Sequence, residues 1–187
     1  MQKTVDANRK FSFPAVWREG CSVLILGSLP GDESLRQARY YAHPRNVFWR
    51  LMGDLFGFDP VADYSMLLSR LRTEGVALWD VVADGCREGS LDQHIEGERP
   101  NDIPWLLDKC PTIALICCNG TASYRFLRKY FPEIWQRESI RISRLPSTSP
   151  AAARLSYEEK RRIWFDELFP VLRGDFIMTH GRIAEGK

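Results

Sequence analysis

Four short β-rich segments constrain this chain most: C-S-V-L-I-L-G (21–27), V-A-L-W-D-V-V (76–82), I-A-L-I-C-C (113–118) and I-R-I-S-R-L (140–145). Helical patterns punctuate them, the alternation expected of a mainly parallel sheet with helices packed on it. Each segment ends at a loop able to carry chemistry: G-S-L-P-G-D, the D-V-V-A-D-G turn, N-G-T-A and P-S-T-S-P. In open α/β sheets ligands bind at the carboxyl ends of the strands, so these loops are expected to converge on one crevice. A helix is predicted to begin near Asn46, after the helix-disfavouring His43-Pro44, and another over S-M-L-L-S-R-L-R (65–72). Two more are predicted: T-A-S-Y-R-F-L-R-K-Y-F, ended by Pro132, and the stretch from Ser156 to Phe169, where Ser156 and Glu159 make a capping box.

At 187 residues the chain is the size of one domain, expected to run over 1–187 with a core at about 21–172 and a loose tail from Arg173. The net charge of +2 does not by itself announce nucleic acid. No apolar run reaches the roughly 20 residues of a membrane span, and the N-terminus carries no apolar signal core, so an intracellular protein is expected. Cys21, Cys86, Cys110, Cys117 and Cys118 form no C-x-x-C; they read as reduced and mostly buried, with Cys117 and Cys118 on opposite faces of a strand.

The densest stretch is Y-Y-A-H-P-R-N-V-F-W-R, from Tyr40 to Arg50. Strand-G-S-L-P-G, Y-A-H-P-R-N-V-F-W, G-V-A-L-W-D-V-V, strand-N-G-T-A and L-P-S-T-S-P, in that order over about residues 21–165, resemble the uracil-DNA glycosylase superfamily. Ser28 stands where the mismatch-specific uracil/thymine branch places a catalytic asparagine. The motifs are closer to the hypoxanthine-DNA (deoxyinosine) glycosylase branch, for which the asparagine of H-P-x-N is the catalytic candidate. The resemblance implies a three-layer α/β/α sandwich around a mainly parallel four-stranded sheet. It also implies a monomeric, intracellular glycosylase acting on double- or single-stranded DNA that contains a deaminated base, and it implies no metal or organic cofactor. Uracil or xanthine is the alternative substrate, and a non-catalytic module binding damaged DNA or nucleotides is the rival from another class. An α/β hydrolase is disfavoured because Ser28 is not in G-x-S-x-G.

The residues then acquire candidate roles. Asn46 supplies an acceptor and donors without titrating, fit to position a water or to contact the departing base, or else to cap a helix. Phe48 matches the family position for stacking on the flipped base, with Trp49 in the core. Asp80, if ionised, accepts from the N1–H of hypoxanthine; otherwise it forms a turn. Ser28 faces the same base site. Ser147, Thr148 and Ser149 form a rigid, donor-rich loop suited to phosphate. His43 either steers charge or is a hydrogen-bonded structural residue; Asp32 either caps a helix or activates water; Asn119 either contacts DNA or ends its strand. No lysine lies in these motifs, which disfavours a Schiff-base lyase.

Overall fold

The computed structural model describes residues 8–89 and 91–174; the expected loose tail lies almost entirely outside the described residues. Strands β1 (Arg9–Phe11), β2 (Val23–Gly27), β3 (Val76–Asp80), β4 (Val82–Cys86), β5 (Glu96–Pro100), β6 (Leu115–Asn119) and β7 (Arg141–Leu145) form two sheets. The main sheet has the order β3-β2-β6-β7, parallel throughout. Its strands are the four expected from sequence. The second, β1-β4-β5, is antiparallel and was not foreseen: the segment read as one strand to Val82 breaks after Asp80, and Val82 starts β4 in the other sheet.

Helices α1 (Asp32–Gln37), α2 (Phe48–Phe56), α3 (Tyr64–Thr73), α4 (Ile103–Lys109), α5 (Thr121–Tyr130) and α6 (Tyr157–Leu172) cover the main sheet. Alternation along the strands divides the core in two. Val23, Ile25, Leu78, Leu115 and Cys117 pack against α2, α3 and α6, with Trp164 and Leu51 fully buried there. Leu24, Leu26, Ala77, Ile116 and Cys118 turn the other way, onto α4 and α5. Parallel strands covered on both faces read as apolar runs for this reason. The result is an α/β/α sandwich. Helix α6 starts at the expected capping box, in which the Ser156 hydroxyl accepts from Glu159 N and the Glu159 carboxylate accepts from Ser156 N. None of the described helices is long and apolar enough to cross a membrane.

Candidate active site

Strand register builds the site. Gly27 pairs with Asp80, and Leu26 pairs with Cys118, so Gly27, Asp80 and Asn119 stand level at the carboxyl end of the sheet. A cavity of about 300 Å³ opens above them, within the range of small-molecule pockets. It is walled by the 27–31 loop, the Tyr40–Asn46 turn, Arg87, Asp92 and the 147–151 loop. The convergence expected of the four loops is therefore present, with the second sheet adding a wall.

The floor depends on the bareness of Gly27. A Cβ there would collide with Asp80 Oδ1 and lie 3.2 Å from the Tyr41 hydroxyl, so only glycine lets these two groups close over the strand end. Asp80 is 3% exposed. Among the described residues its side chain has one hydrogen-bond partner, the Ser12 hydroxyl, which donates to Oδ2 at 3.3 Å. Burial pushes its carboxyl up to about 7, reinforced by the nearby charge of Asp92 and opposed by the Ser12 hydroxyl and the Arg87 guanidinium. A carboxyl so raised is about half protonated at neutral pH, so the neutral acid is populated there beside the ionised acceptor expected from sequence.

Asn46 lines the pocket two residues ahead of α2, which starts at Phe48, slightly later than expected. Its side-chain carbonyl accepts from Phe48 N at 3.0 Å, fixing the amide plane, while its N–H groups have no protein partner among the described residues. His43 also lines the pocket, and its Nδ1 accepts from Arg45 N at 3.1 Å.

Phe48 is a correction. It is fully buried, edge-on to Trp49 and Trp164, and does not line the cavity. Both rings of the Phe48-Trp49 pair enter the core because the first turn of α2 is covered on two sides, Trp49 Nε1 donating to Tyr40 O at 2.8 Å. The aromatic wall belongs to Tyr41, whose ring stacks on Phe48 at 4.1 Å and 30°. Tyr41 has φ 55°, a left-handed conformation costly for a side chain of that size, and its hydroxyl is buried without a hydrogen-bond partner among the described residues. Burial and then the Asp80 charge raise that hydroxyl's pKa, so it is a neutral donor waiting at the pocket floor.

Asp32 is a second correction. It is the first residue of α1, with Gly31 as the N-cap, and its side chain pairs with Lys10 outside the cavity. A water-activating role there has no geometry to support it. The carboxylate that does reach the pocket is Asp92, which accepts from Ser28 Oγ at 2.6 Å and from the Arg87 guanidinium at 3.1 Å. Arg87, 2% exposed, also donates to Leu29 O and Pro30 O, clamping the G-S-L-P-G loop. Burial lowers the Arg87 pKa and raises that of Asp92, each moderated by the other. Sequence reading missed both, for nothing local marks a buried ion pair.

Thr148 is a third. It is 1% exposed: its N–H donates to Asn119 Oδ1, and its hydroxyl accepts from Asn119 Nδ2, both at 2.9 Å. These two bonds engage both ends of the Asn119 amide, so the pair is a lash between β6 and the loop, and Asn119 keeps a second N–H at the cavity that it lines. Ser147 and Ser149 are half-buried at the pocket lip, and their hydroxyl oxygens accept from Ser149 N and Ala151 N, leaving the O–H protons to donate outward. No cluster of metal-ligating side chains occurs among the described residues.

Comparison with known proteins meets this geometry. Residues 15–173 match the family model for the uracil DNA glycosylase superfamily. A protein of Methanosarcina acetivorans named hypoxanthine DNA glycosylase is 42% identical over 149 residues, 79% of this chain and 90% of that one. One of Methanosarcina barkeri with the same name is 43% identical over 116 residues, 62% of this chain and 73% of that one. The solution NMR structure of a candidate uracil DNA glycosylase from M. acetivorans superposes with a TM-score of 0.75 at 38% identity, covering 88% of this chain and 99% of that one. A crevice at the strand ends, walled by the H-P-x-N turn and the P-S-T-S-P loop, in a chain matched over this length, has one consequence: the chain belongs to the uracil DNA glycosylase superfamily.

Proposed function

We propose that this protein is a monofunctional DNA glycosylase that removes hypoxanthine, turning the deoxyinosine nucleotide out of DNA and hydrolysing its N-glycosidic bond to leave an abasic site. The observation that carries the reading is the pocket itself, which gathers the Asn46 amide, the Tyr41 ring and the Asp80 carboxyl at one sheet end. The relatives named hypoxanthine DNA glycosylase support that substrate.

Extruding a base costs a few kcal/mol of stacking and pairing, part of which an aromatic face returns. Tyr41 is the face available. As the bond to the base lengthens, the sugar approaches an oxocarbenium ion and the base gathers negative charge, so the site needs an oriented water and hydrogen-bond donors more than a strong nucleophile. Asn46, its carbonyl pinned by Phe48 N, offers its N–H groups for that work. Ser147 and Ser149 hold backbone phosphates, and the Arg87–Asp92 pair keeps the 27–31 loop in place. No lysine lines the pocket among the described residues, in keeping with hydrolysis without a Schiff base.

Asn46→Ala tests the assignment. It is expected to abolish single-turnover base release, by at least about a hundredfold, while the thermal transition is unchanged apart from the small loss of a local cap. Retained release would move the catalytic role to another residue.

A further inference from the structure

Asp80 is a buried carboxyl with no cation in contact among the described residues. A carboxylate this deep ordinarily needs a charged partner or several N–H donors, because desolvation otherwise forces it to take up a proton. Asp80 has one hydroxyl, from Ser12 in the segment after β1, and that hydroxyl is shared with the Phe13 carbonyl at 3.0 Å. Of the other groups around it, Arg87 favours the charged form but makes no ion pair with it among the described residues, and the rest do not favour it. Tyr40 and Tyr41, from the turn before α2, are neutral, and Tyr64 of α3 is neutral and farther off. Arg87, just after β4, spends its guanidinium on Leu29 O, Pro30 O and Asp92, and Asp92 presents a second carboxylate to the same cavity. From β2, Gly27 contributes only bare backbone. Asn101 donates to the Asp80 backbone carbonyl, not to its side chain.

We propose that Asp80 works as the neutral carboxylic acid, donating its O–H to the carbonyl oxygen of the flipped lactam base, and so acts as a catalytic hydrogen-bond donor as well as a reader of the base. The proposal rests on the functional reading above and deepens it. When the C1′–N bond breaks, its electron pair leaves with the base, and the negative charge spreads onto the lactam oxygen. A carboxylate facing that oxygen repels the charge, whereas an O–H stabilises it more in the transition state than in the ground state, which is the condition for accelerating the step. Water forms the new bond at C1′, its surplus proton ends on the released base, and the Asp80 proton stays in place. The same O–H discriminates. Hypoxanthine presents a carbonyl where adenine presents an amino group, so adenine meets donor against donor. The buried Tyr41 hydroxyl at the same corner offers a second donor.

The test is single-turnover base release from a deoxyinosine duplex between pH 5.5 and 9, for the wild-type protein and for Asp80→Asn and Asp80→Ala, each checked for folding by its thermal transition at every pH. The wild-type rate is expected to hold at low pH and to fall, roughly tenfold per unit, once pH exceeds about 7, where burial sets the proton loss. Asparagine keeps a donor that cannot titrate, so Asp80→Asn should release base at a lower but pH-independent rate, within about tenfold of the wild-type plateau, and Asp80→Ala at least about a hundredfold below it. A wild-type rate that is flat or rises above pH 7, or an asparagine variant as slow as alanine, overturns the donor role while leaving the glycosylase assignment standing. Absence of release at every pH overturns both.

Discussion

Tyr41 holds a costly left-handed backbone so that its ring can lie flat on Phe48, and the two rings divide the work between them: Phe48 is the fully buried support, Tyr41 the pocket face. Truncating each should have opposite signatures. Tyr41→Ala is expected to weaken lesion binding by about 1–3 kcal/mol with little change in stability. Phe48→Ala should cost about 3–5 kcal/mol of stability, because it empties a packed site between Tyr41, Trp49 and Trp164. Thermal melts and equilibrium binding to a deoxyinosine duplex separate the two, and equal affinity losses would contradict the division. Sequence showed that this aromatic cluster mattered but chose the wrong ring. Helical geometry says that neighbours Phe48 and Trp49 point apart; it does not say that a preceding turn will roof over Phe48. Asn46, by contrast, was legible as a pocket residue, since an amide beside a helix start is held by local backbone. Arg87 and Asp92 were not legible, because their pairing depends on a sheet with no apolar signature.

The P-S-T-S-P loop is set by three anchors: the Asn119–Thr148 lash, a bond from Val47 N to Thr148 O at 3.1 Å, and one from Trp164 Nε1 to Pro146 O at 3.0 Å. It thus ties β6, α2 and α6 to the pocket lip, and Thr148 serves the tie while the serines on either side face outward. Replacing Ser147 and Ser149 together by alanine should weaken binding to damaged and undamaged duplex alike, by about 1–2 kcal/mol, without altering lesion preference. A titration at several salt concentrations checks this, and a loss confined to damaged duplex would assign the serines to the base instead. Glycine at 120 belongs to the same arrangement: φ is 98°, and an added Cβ would come within 2.9 Å of Ser147. At this scale the four core strands were readable because burial on both faces makes them apolar from end to end. Strands β4 (V-A-D-G-C) and β5 (E-G-E-R-P) carry charge and glycine, and their pairing is irregular, so they read as loops.

For the molecule as a whole, the buried carboxyl at Asp80 links function to stability. Its ordinary pKa is 3.8 and its folded one is pushed up to about 7, so between those values the folded protein keeps a proton that the unfolded chain has released. The unfolded state then binds fewer protons, and stability from this group, complete below about pH 4, is lost as pH rises through about 7. The loss is at most roughly 4 kcal/mol. Asp80→Asn should therefore melt higher than wild type above pH 7, with the gap closing toward pH 4; a gap that widens on acidification would mean that Asp80 is ionised in the fold. A site that destabilises its own scaffold at working pH is expected where a group is held for chemistry. The fold class and the convergence of loops were legible from alternation and motif order, while the protonation of the floor was not, since it follows from which partners Asp80 lacks. The most direct measurement is single-turnover base release from matched duplexes bearing one hypoxanthine, uracil, xanthine or adenine. Hypoxanthine should be released fastest and adenine not at all, with release lost in Asn46→Ala; tight binding of the deoxyinosine duplex with no base released would contradict the account and make the pocket a recognition module.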